Sequence, residues 1–236
     1  HLLYGIDDGS RTIEESIQLL KEMEKAGTTD LMLTPHYVEN SKYDCNNSDK
    51  MKIFKELEKR KKEENININL YLGNEVFYTP NFLKLLKEKE IRTLNDSKYL
   101  LFEFPMSNVY SNALEICNGL IKEGYVPVLA HPERYFAFQK HKEELETYLQ
   151  AGILMQGNLT SLFGKYGRTA EKTLKYFLKK KWITFLGSDT HHDVEYDKKR
   201  LEKKLLRITK DQEYVENLLG NNFDRIIQNK DIGITR

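Results

Sequence analysis

"YVPVLAHPERY", residues 125–135, decides the fold of this chain. The apolar run up to Ala130 is too short for an ordinary helix and reads as a buried strand. It ends on His131, and Pro132, Glu133 and Arg134 follow at once. The same order of residues recurs along the chain. "TDLMLTPH" (29–36) runs into His36, and "ININLYLGNE" (66–75) into Glu75. "KYLLFEF" (98–104) carries Glu103, and "ILMQGN" (153–158) closes near Asn158. "WITFLGSDTHH" (182–192) reaches Asp189 and His191.

Segments of helical period separate these runs. "TIEESIQLLKEMEKAG" (12–27) has Thr12 as N-cap, Glu15 to complete a capping box and Gly27 as a stop. Its apolar face is Ile13, Ile17, Leu20 and Met23. An exposed loop (37–50) leads into a charged helix over roughly 48–64. "PNFLKLLKEK" (80–89) places Pro80 in a first turn. Further helices fall within 112–124, 142–152 and 168–181, and the remainder after 192 reads as helical. Strand–helix alternation from end to end implies an α/β fold with a parallel sheet. A doubly wound sheet is the alternative. The polar strand ends favour a barrel, because a barrel brings several strand ends to one point and an open sheet spreads them along a line. With an opening strand expected largely before His1, the strand count approaches that of a distorted (β/α)7, TIM-like barrel. No repeat, linker or Pro/Gly-rich boundary divides the chain, so 1–236 is expected to be one domain.

Composition narrows the function. Hydrophobic residues make up 39% and charged residues 31% of the 236, as in a globular domain. The net charge of +1 argues against a partner held by bulk electrostatics, such as nucleic acid. No apolar run is long enough for membrane insertion. Cys45 and Cys117 match no zinc spacing and point to a reducing, cytoplasmic setting. The pattern assigns no oligomeric state.

Histidine and carboxylate usage is the sharpest signal. Of the six histidines, His1, His36, His131 and His191 lie at or just past a strand end, with His192 beside the last and His141 elsewhere. Imidazole and carboxylate without thiolate suit Zn, Mn, Fe or Mg. Asp189 and His191 are two residues apart and would share a face of an extended strand. Glu75 points into a barrel mouth or into solvent. Glu103 either faces water on an edge strand or is neutralised by a metal or by a cation such as Arg134. Arg134 either pairs with a carboxylate such as Glu133 or clamps a phosphate bidentately. Asp7 and Asp8 open a commonplace turn before Gly9. Neither cysteine has an arginine at the Cys-x5-Arg offset of cysteine-dependent phosphatases.

Taken in order, "H…IDDG", "TPH", "GNEVFYTP", "FEF", "AHPERY" and "SDTHH" resemble the polymerase and histidinol phosphatase (PHP) superfamily. Within it they look most like the bacterial tyrosine-protein phosphatases of capsule and exopolysaccharide production. The resemblance spans nearly the whole chain. It implies a distorted (β/α)7 barrel with three divalent metals, commonly manganese, at the C-terminal ends of the strands. It implies that His1 is the second histidine of a His-x-His pair and shares one metal with Glu75 and Asp189. Glu75 would bridge to a second metal with Glu103 and His131. Asp8, rather than Asp7, would hold a third with His36 and His191. Arg134 would bind the substrate phosphate; the arginine many members carry after the Asp-x-His motif has no direct match here, so Arg200, Lys198 or no residue supplies a second contact. His36 or a metal-bound water is the candidate proton donor to the leaving phenolate. The implied reaction is hydrolysis of phosphotyrosine by metal-bound hydroxide, on a bacterial tyrosine kinase. Tyr37, Tyr43 and Tyr78 would flank the aromatic ester. A small-molecule phosphate monoesterase such as histidinol phosphatase, and a non-catalytic metal-binding regulator of a kinase, remain the alternatives.

Overall fold

In the computed structural model, residues 1–232 are described. They build eight short strands: β1 (Asp30–Leu33), β2 (His36–Tyr37), β3 (Asn69–Leu72), β4 (Glu75–Phe77), β5 (Tyr99–Glu103), β6 (Val126–Ala130), β7 (Leu154–Asn158) and β8 (Phe185–Gly187). Every pairing among them is parallel: β1 with β3, and the others in the order β2-β4-β5-β6-β7-β8. The helices are α1 (Ile13–Lys25), α2 (Asn47–Glu63), α3 (Phe82–Lys87), α4 (Ala113–Lys122), α5 (Phe136–Lys140), α6 (Glu144–Gln150), α7 (Gly167–Lys179) and α8 (Lys198–Thr209), with shorter turns from Gln212 to Ile227. A curled parallel sheet with helices outside it bears out the expected barrel-like α/β fold.

The strands read as continuous apolar runs because both of their faces are covered. Leu101, Val128, Ala130, Leu154 and Phe185 form one buried cluster. The intervening residues Leu100, Phe102, Leu129 and Met155 belong to another, together with Leu120 of α4 and Leu174 and Phe177 of α7. The alternation of inward and outward side chains along a strand produces both layers from one run.

Two expected strands are each broken in two. The 29–36 run stops at Leu33 and resumes at His36, and the 66–75 run stops at Leu72 and resumes at Glu75. Pro35 sits in the first break and has no N–H to give a ladder. Gly73 sits in the second, where a Cβ would lie 2.8 Å from the Leu94 side chain. The upper pieces leave the small sheet and join the large one, stitched by Pro35 O, which accepts from Glu75 N (3.1 Å) and Asn74 Nδ2 (3.0 Å).

Other differences are local. Thr12 caps α1, accepting from Glu15 N, but the Glu15 carboxylate reaches Arg11 N instead of Thr12 N. The short helix expected from Pro80 begins at Phe82. β8 ends at Gly187, and residues 188–197 are irregular before α8, so the helical tail starts later than expected. That expectation also covers residues 233–236, which lie outside the described part.

Residues 1–12 form no strand or helix, yet they are well anchored. Leu2, Leu3 and Ile6 are buried with Ile17, Leu20 and Leu33. Each such side chain contributes about 1.5–3 kcal/mol when fully buried. Ser10 N donates to His1 O (3.0 Å), folding the segment back on itself. Gly9 passes so close to His1 that a Cβ would collide with its carbonyl at 1.8 Å. No helix among the described residues is long and apolar enough to cross a membrane.

Candidate metal centre

Sheet register builds one wall of the site. It sets His36 beside Glu75 and Phe77 beside Glu103. His131 follows β6 in a left-handed conformation, φ 37°, and its N–H donates to Gln156 O. Its Nε2 lies 3.0 Å from Glu75 Oε1 and 3.4 Å from Glu103 Oε2. All three residues are buried.

The irregular opening segment supplies the facing wall. Asp7 Oδ2 meets His1 Nδ1 at 2.6 Å and accepts from His36 N, while Asp7 Oδ1 accepts from Gly9 N. With Nδ1 held, His1 turns Nε2 toward Glu75 Oε2 (3.1 Å) and Asp189 Oδ1 (3.5 Å). The His191 ring stacks on His1 at 4.0 Å, and His36 lies 4.2 Å away on a tilted plane. Asp8 Oδ1 approaches His191 Nε2 (3.5 Å) and His36 Nε2 (3.7 Å).

The candidate ligand atoms fall into three adjoining groups, each within 4.8 Å: His1, Asp8, His36 and His191; His1, Glu75 and Asp189; Glu75, Glu103 and His131. His1 and Glu75 each belong to two of them. With neutral imidazoles, Asp8, Glu75, Glu103 and Asp189 would leave four negative charges in a small, largely buried space, which positive charge must offset. His36 Nδ1 lies 3.1 Å from Glu103 Oε1 but without hydrogen-bond geometry, and His131 Nδ1 has no hydrogen-bond partner among the described residues. Oxygen and imidazole donors that converge without satisfying each other fit divalent cations.

Protons partly fill that role here. Burial pulls the His131 imidazole down, but its contacts with Glu103 and Glu75 outweigh this and raise it to about 10. His1 behaves alike: burial lowers it, and Asp7 and Glu75 together raise it well above its usual value. Burial pushes Glu75 up, and His1 and His131 hold it well below the carboxylate range. Asp7 is pushed up by burial and brought down to about 2 by His1 and by backbone donors. His191 is lowered, by burial first and then by the charge of His1.

Chemistry at the rim centres on Asp189, which follows β8 at φ 51°. Its Oδ1 faces the histidines. Its Oδ2 takes three donors: Arg134 Nη1 (2.8 Å), Asn158 Nδ2 (2.7 Å) and Tyr166 Oη (3.0 Å).

Comparison with known proteins gives this site a family. The family described as "Capsular polysaccharide synthesis, CpsB/CapC" matches residues 1–228. The chain belongs to the CpsB/CapC family. CapC of Staphylococcus aureus is 33% identical over 192 residues, which cover 81% of this chain and 74% of that protein. The tyrosine-protein phosphatase CpsB of Streptococcus pneumoniae is 29% identical over 197 residues, 81% of each. Among solved structures, those of YwqE from Bacillus subtilis and CpsB from Streptococcus pneumoniae, described as unique metal-dependent tyrosine phosphatases, share the fold. The TM-score is 0.90 at 25% identity, over 99% of this chain and 94% of that one.

In this CpsB/CapC chain all eight residues singled out as ligands (His1, Asp8, His36, Glu75, Glu103, His131, Asp189 and His191) come together. The reason given for two of them needs correction. Asp189 and His191 do not share a strand face, because β8 stops at Gly187 and Asp189 is left-handed. Glu103 is not on a water-facing edge, and its cationic neighbours are His36 and His131, not Arg134. Arg134 pairs with Asp189, while Glu133 turns inward to accept from Asn158 N and Ser161 Oγ. Arg200 is not brought into the cluster. Its guanidinium lies 4.8 Å over the Phe163 ring, and it pairs with none of the cluster's carboxylates among the described residues. Lys198 packs against Gly27. Of the three tyrosines, Tyr37 and Tyr78 are buried in the core, and Tyr43 approaches His36, ring centroids 6.4 Å apart.

Three contributors had no role in the sequence reading. Asp7 carried a weak signal, an acidic residue beside Asp8. Asn158 carried a better one, since it ends a strand as the ligands do. Tyr166 carried none, because it lies between elements and only folding sets it beside Asp189.

Proposed function

We propose that this chain is a metal-dependent tyrosine-protein phosphatase of capsule or exopolysaccharide production. One observation carries the proposal: three adjoining histidine–carboxylate groups share His1 and Glu75, and Arg134 stands at their edge on Asp189. The functions named for the CpsB/CapC relatives support it. In this reading residues 1–236 act as one catalytic domain and hold three divalent cations, manganese foremost, with iron, zinc or magnesium as substitutes. His1, Glu75 and Asp189 hold one; Glu75, Glu103 and His131 a second; Asp8, His36 and His191 a third.

Bound there, divalent cations lower the pKa of water and neutralise charge on phosphate oxygens, which a very slow uncatalysed hydrolysis requires. The protein's own part is positional. Asp7 fixes the His1 tautomer by holding Nδ1. Arg134, committed to Asp189 at one nitrogen, has further N–H donors for a phosphate oxygen. His36 is assigned as a ligand, with Nε2 toward Asp8 at 3.7 Å, and as the candidate proton donor to the phenolate. Burial and the charge of His1 lower the His36 imidazole, and Glu103 and Glu75 together more than reverse this. A phenolate leaves readily, so this donor carries little of the rate. Arg200 serves as a second phosphate contact only by leaving Phe163. The substrate is a phosphotyrosine protein, proposed to be a tyrosine kinase of the same system, in the cytoplasm.

Turnover of a phosphotyrosine peptide by purified protein tests this. Activity should vanish in chelator and return with Mn²⁺. Full activity after removal of metal, verified by elemental analysis, would refute the mechanism. Faster turnover of histidinol phosphate than of the peptide would move the substrate to small monoesters. Metal binding with no turnover of either would favour a regulatory role.

A further inference from the structure

Tyr166 sits in none of the metal-ligand groups, yet it touches both halves of the rim. The Arg134 guanidinium lies over its ring, Cζ 4.0 Å from the centroid. Its hydroxyl donates to Asp189 Oδ2 at 3.0 Å, the same oxygen that receives Arg134 Nη1 (2.8 Å) and Asn158 Nδ2 (2.7 Å). Asn158 also donates to the Tyr166 hydroxyl at 3.4 Å. A three-membered cage thus saturates one oxygen of Asp189. The other oxygen, Oδ1, faces His1 and His191, both at 3.5 Å.

Two consequences follow from elementary chemistry. A carboxylate whose Oδ2 is fully subscribed offers only Oδ1 to a cation, so the cage decides which atom binds and in what direction. An arginine held at one nitrogen and on one face keeps its remaining N–H edge in a single orientation. The side-chain entropy is then lost before an anion arrives and not on binding. Tyr166 is the residue common to both effects.

We propose that Tyr166 is a positioning residue that couples phosphate capture to metal binding: its ring presents Arg134, and its hydroxyl orients Asp189. The phosphate half rests on the phosphatase reading above; the metal half rests only on the cage. The two contacts can be separated, because Tyr166→Phe keeps the ring and removes the hydroxyl, whereas Tyr166→Leu removes both.

Three measurements on the full chain decide it: Mn²⁺ affinity by chelator competition, inorganic phosphate binding to the Mn²⁺-loaded protein by calorimetry, and KM and kcat on a phosphotyrosine peptide. Tyr166→Phe should weaken Mn²⁺ binding by roughly tenfold, the lower end for an outer partner of a ligand. Its KM and phosphate affinity should stay within about twofold of wild type, because the cation–π contact survives. Tyr166→Leu should show the same metal defect and, at saturating Mn²⁺, about fivefold weaker phosphate binding with a matching rise in KM, the scale of one cation–π contact. Loss of packing alone would lower the melting temperature of both variants without this split, and Phe would not rescue phosphate binding. Unchanged Mn²⁺ affinity in Tyr166→Phe overturns the proposal, and so does wild-type phosphate affinity in Tyr166→Leu. If Tyr166→Leu does not fold, the metal affinity of Tyr166→Phe still decides. If the wild-type protein shows neither turnover nor phosphate binding, the phosphatase reading fails by itself, and the Mn²⁺ competition still judges the cage.

Discussion

The site has two walls made in different ways. Glu75, Glu103 and His131 come from or directly follow three neighbouring parallel strands, and all are buried. His1, Asp8 and His191 come from irregular segments, and the Asp8 side chain remains 56% exposed. In the first wall, register does the work: once the strands pair, the side chains have nowhere else to be. In the second, no ladder fixes the backbone. Its order comes from Leu2 and Leu3 buried beneath it, from Gly9 closing on His1, and from Asp7 gathering His1, His36 and Gly9. A built wall tolerates the loss of outer contacts, and an assembled wall depends on them.

Substitution of Glu75, which meets His1 of the other wall, should have the largest effect. Glu75→Gln is expected to reduce turnover by roughly 1000-fold, the scale for losing a preorganised charge-stabilising group. Anomalous scattering from crystals loaded with Mn²⁺ should show occupancy falling on both sides. A loss confined to one side would mean that the walls do not meet at Glu75.

Asp7→Asn tests the assembled wall. It removes the charge behind His1 Nδ1 and should weaken metal binding by roughly 10- to 100-fold, as outer partners of ligands do. Chelator competition measures it. An unchanged affinity would show that the opening segment holds His1 without Asp7.

Protons distinguish the walls without mutation. His1 and His131 both hold protons that a cation must displace, so apparent metal affinity should fall about tenfold per pH unit for each proton displaced as pH is lowered. In chelator-treated protein the sign differs between partners. His131 is raised to about 10, above its unfolded value, so its stabilisation is complete below about pH 6.5 and is lost as pH rises through 10. Glu75 is lowered, so its stabilisation is complete above about pH 4.3 and is lost as pH falls toward its folded value. Melting temperature of the stripped protein should therefore be highest between these limits. A continued rise toward pH 10 would contradict the His131 pairing.

Asp8→Asn should have the smallest effect. An exposed carboxylate near two imidazoles is worth about 0.2–1 kcal/mol in the metal-free protein, so its melting temperature should barely move. A large drop would place Asp8 deeper in the structure than its exposure indicates.

The built wall was legible in the sequence. An apolar run that ends on His131, or holds Glu103 between phenylalanines, states its own position at a strand end. The other wall was legible only as residue types in order. The family resemblance set Asp8 ahead of Asp7 by its place before Gly9, but the equally committed role of Asp7 could not be read. It depends on two donors and an imidazole that only the folded segment brings together. Asp189 and His191 were singled out through a strand geometry that does not exist there, and folding brings them to the cluster by another route. Arg200 was proposed through the family resemblance, and folding turns it onto Phe163.

The sequence by itself determined the alternation of strand and helix, the apolar filling of both sheet faces and the chemical identity of the candidate ligands. These are local properties, written in period, composition and residue type. Tertiary structure alone decided which strands break at Pro35 and Gly73, which oxygen of Asp189 stays free, and that Tyr166 stands beneath Arg134. Those outcomes depend on contacts between residues tens of positions apart, and close packing, unlike periodicity, leaves no trace in the order of residues along the chain.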